Sequence, residues 1–440
     1  MRMTSPASLT TTPSRFCPAR LASFSLHPSA TSPPWQLSAK PSPSVISAKL
    51  MNKSAGHTPV EIAAYYFPNY HADTRNEALH GPGWTEWELL KTARPRFEGH
   101  TQPLVPAWGY EDEADPAVMA RKIDAAADHA IDVFLFDWYH YEDGPFLGRA
   151  LDEGFLQAPN RDRLKFALMW ANHTWVDIHP AKAMADMHHD TPVLYRGEVS
   201  GQGFRAICEQ VIERYFQQPN YWKINGRPYF SIYELSRFVE GLGSLAAARQ
   251  ALEEFRTLAR QAGFPDLHLN AVLWGETILP GEKQVTNPAR VLAELGFDSF
   301  SSYVWIHHAT LGQFPATPYE DVAAQYHAYW DRIASELTLP YLSNVTMGWD
   351  PSPRTVASDV FRPIGYPFMS VIQDNTPERF GGQVARALDR VRRSPGCLPA
   401  LTINAWNEWT EGSYLEPDTR HGMRYLEALR DACRTILDKR

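Results

Sequence analysis

EIAAYYFPNYH, residues 61–71, is a short apolar run ending in an aromatic turn without glycine, and that turn decides between two α/β architectures. From residue 61 onward, β-rich apolar runs alternate with amphipathic helical patterns, the signature of parallel strands joined by helices. An open, doubly wound sheet would place a glycine-rich phosphate turn after its first strand. This turn is instead built of Phe67, Pro68, Asn69, Tyr70 and His71, so the pattern favours a closed (β/α)8 barrel with enlarged βα loops.

The same rhythm runs along the chain. Strands are expected at 62–67, 132–137, 165–170, 228–233, 268–273, 298–303, 340–345 and 400–405. Helical patterns fall at 116–129, 203–217, 244–261, 288–295, 319–336, 377–392 and 422–438, several opened by Pro or closed by Gly. Residues 58–440 are expected to form one barrel. Residues 1–57 differ in kind: the first fifty are rich in Ser, Thr, Pro and Ala, with five Lys or Arg and no acid. By composition this leader is disordered, and an early translation start, with Met51 as the natural beginning, explains it better than a transit peptide.

At 440 residues the chain can bury a large core, and its formal charge of −8 leaves no basic footprint for nucleic acid. No apolar run is long enough to span a bilayer. Cys17, Cys208, Cys397 and Cys433 lie far apart, which gives no disulfide framework and favours a reducing, cytoplasmic setting. The adjacent pairs His188-His189 and His307-His308 lack the spacing of metal ligands, and no G-x-S-x-G elbow is present. Neither a metal nor any other cofactor is expected.

Polar and aromatic residues gather just past the carboxyl ends of the expected strands, where barrel enzymes build their sites. Trp beside Asn, Asp or Glu supplies the flat platform and the hydrogen-bonding edge that a sugar ring needs. The expected substrate-binding set is Tyr66, His71, Trp84, Glu86, Asp137, Trp138, Trp170, Asn172, Tyr233, Trp274, Trp406 and Asn407. The segment NAWNEWTEGSYLEP (404–417) adds Glu408 and Glu411, which share a face if the chain turns after Asn407. Two acids held that close do not ionise independently, so one can donate a proton while the other stays charged, the division of labour that glycosidic cleavage requires. Glu416, next to Pro417, is expected to anchor the loop or sit on the substrate rim.

Taken in order, YYFPNYH, GPGWTEW (81–87), KTARPRFEGHTQPLVP (91–106), IDVFLFDWYHY (131–141), MWANHTW (169–175) and NAWNEWTEGSYLEPD (404–418) resemble the glycoside hydrolase family 99-like, or WbsX-like, proteins. That resemblance implies a metal-independent, retaining glycosidase on a (β/α)8 barrel, acting on α-linked glycans such as α-mannosides. It further implies that Glu408 deprotonates the sugar's own 2-hydroxyl, giving a 1,2-anhydro sugar, and that Glu411 is the acid and then the base. The WbsX label implies a rival, a glycosyltransferase of polysaccharide synthesis, and a barrel that binds glycans without cleaving them is a further alternative. The sequence departs from the family pattern after Asn172, where it runs His173, Thr174, Trp175 and then VDIHPAKAMADMHHD (176–190), and this bears on the choice of sugar.

Overall fold

The structure is a computed structural model, and it describes residues 59–437 apart from 395. The expected leader lies outside the described residues. Eight parallel strands close in chain order: β1 (Glu61–Tyr66), β2 (Val133–Tyr141), β3 (Lys165–Trp170), β4 (Arg227–Ile232), β5 (His268–Val272), β6 (Ser299–Ser301), β7 (Tyr341–Thr346) and β8 (Cys397–Asn404). The closing seam joins β8 to β1, with Glu61 opposite Ala400 and Ala64 opposite Ile403. This is the (β/α)8 barrel that the alternating pattern predicts.

Helices α1 (Pro116–Asp128), α2 (Gly201–Val211), α3 (Leu245–Gln261), α4 (Pro288–Leu295), α5 (Tyr319–Glu336), α6 (Pro377–Arg393) and α7 (Arg424–Leu437) return the chain between strands or after the last one. Their start signals are visible in the sequence. Asp115, Ser200, Ser244, Asn287 and Thr376 each cap a helix through the side chain, and α1, α4 and α6 begin with Pro. Between β2 and β3 the connection shrinks to one wide helical turn, Ala150–Phe155. The helix Leu235–Leu242 and the short helices Thr74–His80 and Trp87–Thr92 are additions that the periodicity did not announce.

Strand alternation sorts the side chains into two layers. Asp137 and Tyr139 on β2 face the barrel mouth, whereas Phe134, Phe136 and Trp138 face the helices. Among the described residues no helix is long and apolar enough to cross a membrane.

Candidate active site

After β8 the chain turns back on itself. Asn407–Glu408 pairs antiparallel with Ser413–Tyr414, and Trp409–Glu411 forms one tight helical turn between them. Gly412 makes the reversal possible: its φ is +64°, and a Cβ there would stand 2.8 Å from the Asp350 Cβ. The turn brings Glu408 and Glu411 onto the same side, both within reach of Arg354, and both line a cleft of about 650 Å³ at the barrel mouth.

Three sets of contacts fix this turn. The Asn407 side chain accepts from the Phe67 backbone N–H at 2.8 Å and donates to its carbonyl at 2.7 Å, which ties β8's loop to β1's. Asn407 also donates to Glu113, which pairs with Lys122 of α1 at 2.5 Å. Lys122 reaches Glu416 at 2.6 Å, and Glu416 in turn accepts from the Trp409 indole N–H at 2.7 Å. Glu416 is therefore a buried anchor behind the turn.

Arg354, from the loop after β7, is the positive centre. Its guanidinium donates to Glu411, contacts Glu86 at 3.2 Å and lies 3.7 Å from Glu408. Glu86 is further held by His179 at 3.0 Å and by the Thr410 hydroxyl. Burial opposes its ionisation, but Arg354 and His179 outweigh this and draw its pKa down to about 2. Glu86 is thus a fixed counter-charge.

The carboxyls that face the cleft behave differently. Burial first, then the neighbouring Glu411, push Glu408 well above the ordinary carboxylate range, against the pull of Arg354. Burial also raises Glu411, while Arg354 and the Tyr366 hydroxyl, donating at 2.5 Å, hold it back. Asp137 is raised well above its usual value, chiefly by burial. The Tyr303 hydroxyl lies 2.8 Å from both Asp137 Oδ2 and Glu408 Oε2. One phenol has one hydrogen to give, so the two carboxyls either share it or one of them is itself protonated. Asp137, Tyr303 and Glu408 thus form one buried hydrogen-bond chain at the cleft.

Of the expected binding residues, Asp137 and Tyr233 line the cleft. Trp84 stands at its edge, stacked on His80 and edge-on to His179, while Glu86 acts from behind through Arg354. The remaining assignments are corrected by the geometry. Tyr66, Trp138, Trp170 and Trp406 all point away from the cleft: Tyr66 packs on Phe136, Trp138 on Tyr215, Trp170 between Phe204 and Phe238, and Trp406 on Phe134. For the three strand residues the cause is the two-residue period, since Tyr66, Trp138 and Trp170 alternate with inward-facing neighbours. Asn172 spends both ends of its amide on the Glu234 backbone, and Asn407 is committed to Phe67 and Glu113, so both pin loops. His71 is buried away from the cleft, and burial together with Arg149 lowers its pKa to about 3. Trp274 packs on the outer side of Tyr233 and His307 and faces a separate hollow.

Arg354, Tyr366 and His179 were missed. The only hint of Arg354 was a WDPSPR run (349–354) following a strand. Among the described residues no group of three or more His, Cys, Asp or Glu is placed to hold a metal ion.

A family model described as glycosyltransferase WbsX matches residues 62–429. Two curated relatives from strains of Xanthomonas campestris pv. campestris, both described as uncharacterized protein WxcX, are 27% identical over 382 and 394 residues, covering 85% of this chain and 50% of theirs. The chain thus spans about half the length of the curated relatives it matches. Among solved structures, a GH99 endo-alpha-mannosidase from Bacteroides thetaiotaomicron is similar with a TM-score of 0.55 at 13% identity, covering 86% of this chain and 97% of that one. A structure described as a glycoside hydrolase-like protein is similar with a TM-score of 0.54 at 14% identity, covering 86% and 94%. At such identities the likeness is one of fold.

Proposed function

The chain belongs to the WbsX family, and we propose that within it this protein is a glycan-processing enzyme, specifically a retaining glycoside hydrolase acting on α-linked glycans. The observation that carries this reading is the placement of Glu408 and Glu411 together at a barrel mouth, both within reach of Arg354. Inverting enzymes keep their carboxyls roughly 6.5–9.5 Å apart to admit a water. Retaining enzymes bring theirs to about 5–5.5 Å, and the retaining reading here rests on the family resemblance, not on that spacing.

In the mechanism that the family resemblance implies, Glu411 carries the proton and Glu408 is ionised when the sugar reacts; Arg354 by itself favours the opposite order, so the arriving sugar has to move the proton to Glu411. Glu408 takes the proton of the sugar's 2-hydroxyl as O2 attacks C1. The bond from C1 to the leaving oxygen breaks, and Glu411 gives that oxygen its proton. Water then attacks C1 of the 1,2-anhydro sugar, losing a proton to Glu411, while O2 recovers its own from Glu408. Arg354 and Tyr366 keep Glu411 oriented through both steps, and Tyr303 holds Glu408.

The glycosyltransferase named in the family description is the second reading. The two separate when purified protein is incubated with a panel of α-glycans, with and without EDTA and sugar nucleotides. Hydrolysis that survives chelation and needs no sugar nucleotide is the expected result. Product formation that requires a sugar nucleotide overturns it.

Tyr303→Phe gives a further check. The phenol's hydrogen bond lowers the pKa of Glu408, so removing it raises that pKa. The acidic limb of kcat/KM against pH, which reports Glu408 as base, is expected to move to higher pH. Movement of the alkaline limb instead would make Glu408 the acid.

A further inference from the structure

The motif KTARPRFEGHTQPLVP (91–106) supplies no residue that lines the cleft, yet it grips the residue that ties Glu411 to Arg354. That residue is Asp350, in the loop after β7. Its backbone N–H donates to the Glu411 carbonyl at 2.5 Å. Its Oδ1 accepts from the Ser352 N–H at 3.0 Å, at the start of the tight helical turn Ser352–Arg354 that carries Arg354. Its Oδ2 accepts from the Gln102 amide at 2.6 Å and from His100 Nε2 at 2.8 Å. His100 is itself fixed: Nδ1 accepts from the Arg96 backbone N–H at 3.0 Å, so the hydrogen sits on Nε2, and the ring lies parallel to Phe97 with centroids 4.4 Å apart.

Three donors therefore face the two oxygens of Asp350, and only a carboxylate accepts at both. Burial opposes its ionisation, but the bonds from His100, Ser352 and Gln102 outweigh this and hold its pKa below the usual carboxylate value. Neither His100 nor Asp350 lines the cleft; both line a second hollow of about 860 Å³, together with Gly412. A sugar bound in the cleft is met by Glu411 and Arg354, not by this pair.

On the reading of the site given under Proposed function, we infer that Asp350 and His100 are positioning residues for the acid catalyst: Asp350 sets the turn of Glu411 and the turn of Arg354 at one spacing, and His100 locks Asp350 to the 91–106 segment. Displacement of a reacting group by about 1 Å can cost on the order of 10²-fold in rate.

The test has one arm that reads turnover and one that does not. Asp350→Asn turns an NH2 group towards at least one of the three donors, and is expected to lower kcat by about 100-fold with KM held, the mark of an interaction lost in the transition state. His100→Gln can still donate to Asp350, whereas the shorter His100→Asn cannot reach it. The Asn variant is expected to lose about tenfold or more in kcat, and the Gln variant to recover most of that loss. Independently of turnover, carbon-13 carboxyl NMR follows the titration of Glu411, with Glu411→Gln identifying the signal. Arg354 lowers the pKa of Glu411, so a turn that drifts from Arg354 titrates at higher pH in Asp350→Asn and His100→Asn, and His100→Gln brings it back. Thermal midpoints confirm that each variant is folded, and if Asp350→Asn is not, the two His100 variants decide. A folded Asp350→Asn or His100→Asn protein in which Glu411 titrates as in the unsubstituted one overturns the inference, as does an effect confined to KM or an equal loss in both His100 variants. Failure of the unsubstituted protein to hydrolyse any α-glycan would sink the hydrolase reading, and the titration of Glu411 would still decide this one.

Discussion

Glu408→Gln and Glu411→Gln are each expected to lower kcat on an unactivated α-glycoside by about 10³-fold or more, yet to respond differently to the leaving group. General acid or base assistance contributes about 10² to 10⁴. On the mechanism proposed above, Glu411 protonates the departing oxygen. A glycosyl fluoride or dinitrophenyl glycoside needs no such proton, so Glu411→Gln is expected to recover most of its first-step rate on those substrates. Glu408→Gln cannot abstract the 2-hydroxyl proton and stays inactive on both. Rescue of Glu408→Gln and not of Glu411→Gln would reverse the roles. Folding is not the issue in either variant, because an amide of equal size can accept from Tyr303 or from Arg354.

Lys122→Met is expected to destabilise the fold by about 3–5 kcal/mol, the cost of stranding buried charge when one partner of an ion pair is removed. Lys122, Glu113 and Glu416 are all buried, with the lysine between the two acids. Even with Lys122 in place, burial lifts the Glu113 pKa to about 7. Without it, the folded-state pKa of Glu113 rises further above its unfolded value. A group raised in this way adds stability below its unfolded pKa and loses it as pH climbs towards the folded one. The deficit of Lys122→Met, measured by urea unfolding, should therefore be smallest near pH 4 and grow towards pH 8. Adding Glu113→Gln should restore part of it. A deficit independent of pH would mean that lost packing of the lysine stem, not charge, dominates.

The fold was legible because strand and helix periodicities are local. Each strand of the barrel was placed within a few residues, and capping residues such as Ser244 and Thr376 marked helix starts. The catalytic candidates were legible for a related reason: a three-residue separation needs only a turn, and Gly412 supplies it. Parity was not legible. Asp137 and Trp138 look equally suited to a sugar, but adjacent strand residues face opposite layers, and the sequence alone does not say which is inward. Arg354 was invisible for another reason. Its loop lies far along the chain from Glu86, and nothing local announces that a buried arginine will meet three acids.

The link between Asn407 and Phe67 bridges 340 positions of sequence. The turn that carries Glu408 and Glu411 is therefore held by the two strands that meet last along the chain, at the seam. A folding intermediate with most helices formed and the seam still open would have a nearly complete scaffold and no assembled turn, so that the activity proposed for this site would report on circumferential closure.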